Sequence, residues 1–175
     1  MQSDDANARF NEVVMRHLDD AYGLARWLTG NSVDAEDVVQ EACLRALKGI
    51  GGFSGGNARA WVLAIVRNTA FSWLARNRPK ELLLTDDIEA VERSAAAPPL
   101  GETPEDALIA RANAMQLEAA VAALPPRLRE TFVLRELQDM SYREIAAVTG
   151  APIGTVMSRL ARARAALALA LGTET

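Results

Sequence analysis

Apolar residues recur at spacings of three and four along most of the chain, which predicts amphipathic helices. One stripe predicts a helix over about residues 6–28, ended by Gly30. A second predicts a helix capped by Ser32 and ending near Leu47. The two stripes consist of Val14, Leu18, Ala21, Ala25 and Leu28, and of Val39, Cys43, Ala46, Leu47 and Ile50.

Glycine and proline divide the rest of the chain. Four glycines at positions 51–57 predict a loop, and a third helix is expected over about 58–77. Residues 81–104 contain three prolines and many acids, which predicts an extended, flexible linker. Two further helices are predicted over about 105–124 and 127–137.

The C-terminal pattern predicts a helix-turn-helix. Ser141 and Glu144 fit a capping box, the short helix that follows ends near Gly150, and a last helix is expected over about 152–171. Its predicted inward face consists of Val156, Leu160, Ala163 and Leu167. The second helix of such a pair can lie in a DNA major groove. An ordinary amphipathic hairpin with a solvated arginine face would share this spacing.

Composition narrows the class. The chain has 175 residues, half of them apolar, with one cysteine and one histidine. These counts exclude a disulfide framework and argue against a metal site. We see no secretory signal, membrane-spanning run, catalytic motif or phosphate loop, so we expect a cytoplasmic protein that is not an enzyme, needs no cofactor and does not insert into a membrane.

The negative charge is concentrated in the middle of the chain. The net charge is −4, yet residues 1–80 carry 10 basic and 9 acidic side chains, and residues 121–175 carry 7 basic and 5 acidic. Residues 81–120 carry 2 basic and 9 acidic. The sequence therefore predicts two nearly neutral modules joined by an acidic connector.

Three surfaces are candidates for binding. The second helix has a polar face that contains one leucine, and this is either a protein contact or a stray leucine on a solvated face. The third helix interleaves arginines with Trp61, Phe71 and Trp73, which suits single-stranded nucleic acid, although Trp61 also fits the core. The last helix presents Thr155, Ser158, Ala161 and Arg162 opposite its apolar face.

Five strings together resemble the extracytoplasmic-function (ECF) group of bacterial RNA polymerase sigma factors. They are DAEDVVQEACLRA at 34–46, AWVLAIVRNTA at 60–70, LPPRLRE at 124–130, SYREIAA at 141–147 and GTVMSRLARAR at 154–164. The resemblance spans nearly the whole chain except the linker. It implies an all-α protein with a region 2-like domain at 1–80, a linker at 81–104 and a region 4-like domain at 105–175.

The resemblance also implies partners and site residues. The family binds the polymerase core (β′ and β subunits) and promoter DNA, and its members are usually restrained by an anti-sigma factor. By position, the resemblance assigns core binding to Asp37, Gln40, Glu41, Leu44 and Arg45. It assigns contacts with the −10 element to Ser54, Gly55, Asn57 and Arg67. It assigns contacts with the −35 element to Thr155, Met157, Ser158, Arg159 and Arg162.

Two departures leave alternatives open. Met157 stands where the family often has a basic residue, and Ala161 stands where a larger side chain is common. A sigma-like decoy that binds only an anti-sigma factor would tolerate both. An ordinary helix-turn-helix regulator is the third alternative, but it leaves Leu44 on the polar face unexplained.

Overall fold

The computed structural model describes residues 1–83 and 106–172, and within these ranges every regular element is helical. The predicted all-α class is confirmed. None of the described helices is long and apolar enough to cross a membrane. The N-terminal module contains α1 (Gln2–Val13), α2 (Leu18–Thr29), α3 (Ser32–Gly49), α4 (Ala58–Asn77) and α5 (Pro79–Leu82), and the C-terminal module contains α6 (Asp106–Ala123), α7 (Pro126–Phe132), α8 (Tyr142–Thr149) and α9 (Ile153–Ala170).

The single first helix predicted from the sequence is wrong, because the chain breaks into α1 and α2 at a 3-10 turn, Met15–His17. Helix α1 is largely polar and buries none of its residues. The turn brings Val14, which is only 1% exposed, into the core. Gly30 ends α2 in the left-handed conformation with φ of +87°, as predicted.

The apolar face of α3 matches the predicted stripe only in part. Ala46 and Ile50 are buried as predicted, whereas Val39, Cys43 and Leu47 are only partly buried. The other buried residues of the helix are Ala35, Val38 and Ala42. The helix cap is Asn31 rather than Ser32, since the Asn31 side chain accepts a hydrogen bond from the Asp34 N–H at 2.9 Å. Serine and asparagine both accept this bond, so residue type alone did not exclude the predicted cap at Ser32.

The predicted third helix is confirmed as α4, Ala58–Asn77, capped by Asn57. Helix α5 then occupies Pro79–Leu82, so the N-terminal module extends past the predicted boundary at residue 80. The remainder of the predicted acidic linker, from residue 84, lies outside the described residues.

The helix-turn-helix is formed by α8 and α9. The capping box of Ser141 and Glu144 is present, and Gly150 ends α8 with φ of +73°. The predicted inward residues of α9 are all buried, at 6% exposure or less. The helix predicted over 127–137 is instead α7 followed by a π-helical turn, Val133–Leu137.

The two modules pack against each other. Helix α4 lies along α8, and α2 contacts α7. The buried apolar residues form one cluster that includes residues from both modules, from Val14 to Leu167. The arrangement is therefore closed, and it brings the N-terminal candidate surfaces next to the helix-turn-helix.

Candidate nucleic-acid and protein interfaces

The outer face of α3 is open to solvent. Leu44 is 61% exposed in the middle of it. Arg45 donates to the Glu41 carboxylate at 2.8 Å, and Arg76 approaches the other Glu41 oxygen at 3.5 Å. Asp37 and Gln40 are exposed beside them. All five residues predicted to bind the polymerase core therefore share one surface with an apolar centre and a polar rim, as protein interfaces commonly have.

A cleft of about 350 Å³ lies between the glycine loop and α4. Ser54, Gly55 and Asn57 line it, together with the rings of Phe53 and Trp61, whose centroids are 5.0 Å apart. Trp61 therefore packs partly on the core, as the sequence indicated, and also offers a ring to the cleft. The two ring planes are tilted by 46°. Aromatic rings beside a cleft are typical of sites for unpaired bases.

The glycine loop is built from backbone conformations that few other residues adopt. Gly55 and Gly56 have φ of +96° and +90°, and a Cβ at either position would meet open space. Positive φ, rather than lack of room, therefore accounts for glycine at both positions. The loop is followed by Asn57, whose side-chain oxygen accepts a hydrogen bond from the Ala60 N–H at 3.0 Å and so caps α4.

Arg67 lies further along α4 and does not line the cleft. Its guanidinium is stacked 3.9 Å from the centroid of the Phe71 ring. It also donates two hydrogen bonds to the Glu130 carboxylate of α7, at 2.7 and 3.1 Å. Three of the four residues predicted to contact the −10 element thus lie together, and the fourth is engaged by the C-terminal module.

Glu130 is completely buried. Burial raises the pKa of its carboxyl, while the hydrogen bonds from Arg67 and the nearby charges of Arg67, Arg159 and Arg127 oppose this rise. A buried carboxylate remains charged only when it is paired in this way. Arg67 and Glu130 are therefore coupled electrostatically across the two modules.

The solvent face of α9 matches its predicted composition in part. Met157 is 51% exposed, and Ser158 and Arg162 are also exposed, whereas Thr155 is half-buried. Arg159 is half-buried as well, and its charge acts on Glu130. The exposed face thus contains one of the two arginines that the sequence assigned to −35 DNA.

Arg129 joins the modules at the C-terminal end of α2. It is 5% exposed and donates through Nη1 to the carbonyl oxygens of Trp27 and Leu28, at 3.0 and 3.2 Å. The neighbouring Thr29 carbonyl accepts from Arg78 at 2.6 Å. Carbonyls at this end of a helix have no partner within the helix and carry partial negative charge, which two arginines satisfy here.

Sequence reasoning missed the groups that join the modules. Gln138 donates through Nε2 to the Asp20 carbonyl at 2.9 Å, and the backbone carbonyl of Gln138 accepts from Arg59. Glu144 accepts from the Asn57 side chain at 3.0 Å. The capping box indicated where Glu144 lies in α8, but no local pattern indicates a contact 87 residues away.

Comparisons with known proteins agree on one family. The model described as "Sigma-70 region 2" matches residues 13–80, and "Sigma-70, region 4" matches residues 114–167. The RNA polymerase sigma-H factor of Pseudomonas aeruginosa is 34% identical over 166 residues, which cover 93% of this chain and 86% of that protein. This chain belongs to the ECF group of RNA polymerase sigma factors.

Other relatives support the same assignment. The ECF sigma factor SigE of Mycolicibacterium smegmatis is 33% identical over 89% of this chain, but the match spans only 58% of that longer protein. The sigma factor RpoE of Bartonella quintana, solved with the anti-sigma factor NepR, has a similar fold, with a TM-score of 0.69 and 25% identity over 95% of this chain and 98% of that one. The chain is thus a regulatory subunit of transcription initiation.

Proposed function

We propose that this sigma factor carries RNA polymerase to promoters through three separate surfaces. The outer face of α3 binds the polymerase core, the cleft and α4 hold the opened −10 element, and the exposed face of α9 reads the −35 element. The sigma factor performs no chemistry of its own and acts in the cytoplasm, where the polymerase is. The observation that carries this proposal is the exposed Leu44 on a polar face of a sigma-family chain.

The position of Leu44 supports a protein contact. The α3 residues that pack inward are buried to 2% exposure or less, so Leu44 is not needed for the core. An exposed leucine ringed by charged and amide groups can be desolvated by a partner while the rim keeps its polar contacts. The polymerase core is the partner that the family predicts for this position.

The charge of α9 supports contact with duplex DNA. From residue 153 to residue 170 the helix has three arginines and no acidic residue. Arg162 is exposed on its outer face, and Ser158 and Thr155 offer hydroxyl groups nearby. Arginine and hydroxyl side chains are suited to phosphate oxygens and base edges in the major groove.

We also propose an anti-sigma factor as a partner. The solved relatives from Bartonella quintana and the CnrH protein, which has a TM-score of 0.67 and 26% identity, were each determined in complex with a partner chain. The closed arrangement of this chain leaves the outer face of α3 and the exposed face of α9 available to such a partner.

Transcription with purified core polymerase tests the proposal. The wild-type chain should give specific run-off transcripts from a pool of genomic promoter fragments. Leu44→Asp should weaken core binding at least tenfold, because a charge replaces the apolar centre of the interface. Met15→Asp, at a site 48% exposed outside this face, is the matched control and should bind normally. Unchanged core affinity for Leu44→Asp would show that the docking face is wrong.

A further inference from the structure

Helix α1 is attached to the N-terminal module although it buries none of its own residues. Phe10 and Val13 lie three residues apart on one face and pack partly against the core, which fixes the face that the helix turns toward the module. The helix contacts α3 and the 3-10 turn Ile50–Gly52, which comes directly before the glycine loop. Polar side chains of α1 are therefore placed beside the loop that lines the cleft.

Arg9 connects α1 to this loop. Its guanidinium donates through Nη2 to the backbone carbonyl of Phe53. The guanidinium carbon also lies 5.8 Å from the centroid of the Phe53 ring, which is within the range of a cation–π contact. One side chain of α1 thus contacts both the backbone and the ring of a residue 44 positions further along the chain.

Arg9 makes these contacts although two acids of its own helix are within reach. Asp5 lies four residues before it and Glu12 three residues after it, the spacings at which charged side chains of a helix meet. All three side chains line a groove of about 480 Å³ beside Ile50, yet the hydrogen bond of the guanidinium goes to the Phe53 carbonyl. The contact with the loop distinguishes Arg9 from an ordinary solvated arginine.

Phe53 is held through its backbone and through its ring. Its N–H donates to the Ile50 carbonyl at 3.2 Å, and its own carbonyl accepts from Arg9. The residue is 9% exposed, and its ring packs beside that of Trp61, with 5.0 Å between the centroids. Phe53 is therefore the fixed point from which the glycine loop starts.

The glycine loop depends on what holds its two ends. Gly55 and Gly56 have positive φ, and glycine loses more conformational freedom on ordering than any other residue. Asn57 fixes the far end of the loop as the cap of α4, and Phe53 fixes the near end. The fraction of time for which the loop lines the cleft therefore depends on the contacts of these two residues.

From these contacts we propose that α1 braces the cleft for the −10 element and that Arg9 is its positioning residue. By holding the carbonyl and the ring of Phe53, Arg9 keeps this ring beside Trp61 and sets the direction in which the loop begins. Arg9 lies outside the set of described residues that line the cleft, so it acts through Phe53 and not on the DNA. The inference rests on the proposed function of the cleft.

Removing Arg9 tests the brace without disturbing the core. The side chain is exposed, α1 contributes no buried residue, and alanine is the best helix former, so Arg9→Ala should fold normally. Arg9→Lys keeps a cation and a donor for the Phe53 carbonyl. Arg16→Ala is the matched control, because Arg16 is exposed in the turn after α1 and its loss changes the net charge equally.

The experiment uses the holoenzyme formed from the full chain and purified core polymerase. Its probe is a fluorescent fragment of the promoter that gives the strongest run-off transcript, with the −10 element single-stranded, and anisotropy reports the affinity. Arg9→Ala should bind the probe about fivefold more weakly than wild type, since apparent affinity follows the fraction of competent loops. Arg9→Lys should lose about twofold, because lysine lacks the planar fork of arginine. Arg16→Ala should match wild type, and no variant should change core affinity.

The salt dependence of probe binding separates positioning from direct contact with DNA. An arginine that pairs with a phosphate of a single strand contributes about 0.7 to the slope of log affinity against log salt concentration. Because Arg9 acts through Phe53, Arg9→Ala should lower the affinity and leave this slope unchanged. A smaller slope for Arg9→Ala than for Arg16→Ala would place Arg9 on the DNA and overturn the inference.

Hydrogen exchange in the free chain reports on the loop itself. The Phe53 N–H is bonded to the Ile50 carbonyl, so its exchange slows while this end of the loop is held. Arg9→Ala should speed exchange of residues 50–57 about fivefold, and Arg16→Ala should not. Weaker probe binding with unchanged exchange would overturn the inference, and so would faster exchange with unchanged probe binding.

The wild-type holoenzyme separates failure of this inference from failure of the proposed function. If wild type binds the probe better than a fragment with a scrambled −10 strand, and Arg9→Ala binds equally well, only the inference falls. If wild type gives transcripts but does not prefer the −10 strand over the scrambled one, the proposed function of the cleft falls, and the inference falls with it.

Discussion

Replacing Arg129 with leucine should loosen the closed arrangement. Arg129 is 5% exposed, and its guanidinium donates hydrogen bonds to the Trp27 and Leu28 carbonyls of the N-terminal module. Burial lowers the pKa of Arg129, and the nearby Glu81 carboxylate opposes that change, so the charge is held in place by its contacts. Leucine would fill part of the volume and satisfy neither carbonyl.

The size of the effect follows from these contacts. Each hydrogen bond from a charged donor contributes about 1.5 kcal/mol at the low end, so the loss of the two bonds between the modules gives about 3 kcal/mol. The bonds from Nε and Nη2 to the Leu124 carbonyl, at 3.3 and 3.0 Å, are lost as well. Removing the buried cation relieves part of its desolvation cost, which offsets some of the loss. Glu81 is about a third exposed, so solvent screens its attraction to Arg129 and the pair adds little to stability. We therefore expect a destabilisation of at least about 2 kcal/mol.

Urea denaturation followed by circular dichroism measures this change. For a chain of this size the dependence on urea is about 2 kcal/mol per molar, so the midpoint should fall by about 1 M. Arg127→Leu is the matched control, because Arg127 is exposed on the same helix and should shift the midpoint very little. A midpoint for Arg129→Leu within about 0.2 M of wild type would refute the assigned role of this arginine.

Three further changes test the electrostatics, the DNA surface and the turn. Burial raises the pKa of Glu130 above its ordinary 4.5, so stability that is present below that value should be lost as pH rises through the folded-state pKa. Glu130→Gln should therefore reduce the pH dependence of the free energy of unfolding. Urea midpoints measured from about pH 4 to pH 8 would test this. Arg162→Ala should weaken binding to duplex −35 DNA and lower the number of ions released on binding by about one, with core binding unchanged. Arg164→Ala should affect DNA binding less, because Arg164 already pairs with Glu136. Equal losses of DNA affinity in the two variants would contradict the assigned face. Gly150→Ala should raise the free energy of the folded state by about 1 kcal/mol, because φ at this position is +73°. Gly154→Ala, within α9, should be neutral or stabilising. The melting temperatures of the two variants would therefore differ.

The local elements were readable from the sequence because their signals lie within a few residues. The bounds of α4 were predicted correctly, since a glycine loop precedes it and Pro79 follows. The capping box of Ser141 and the glycine at the end of α8 were likewise read correctly. The motifs that identified the sigma family are also local strings, which the family models match in the same order.

Errors arose where packing decides between equivalent local choices. Part of the stripe on α3 was misplaced by one residue, because Val38 and Val39 are equally apolar and only the neighbouring helices decide which is buried. The break before α2 has no glycine or proline to mark it, and it exists because Val14 enters the core while the polar α1 does not.

The sequence by itself determined the helices, the helix-turn-helix and the family to which the chain belongs. Only the tertiary structure decided that Arg67, which the resemblance assigned to DNA, pairs with Glu130 from a helix 63 residues away. The state of a buried charge depends on which groups surround it in space, and distant parts of the chain supply those groups. Local spacing fixes where a side chain lies on its helix, whereas long-range packing fixes its partner.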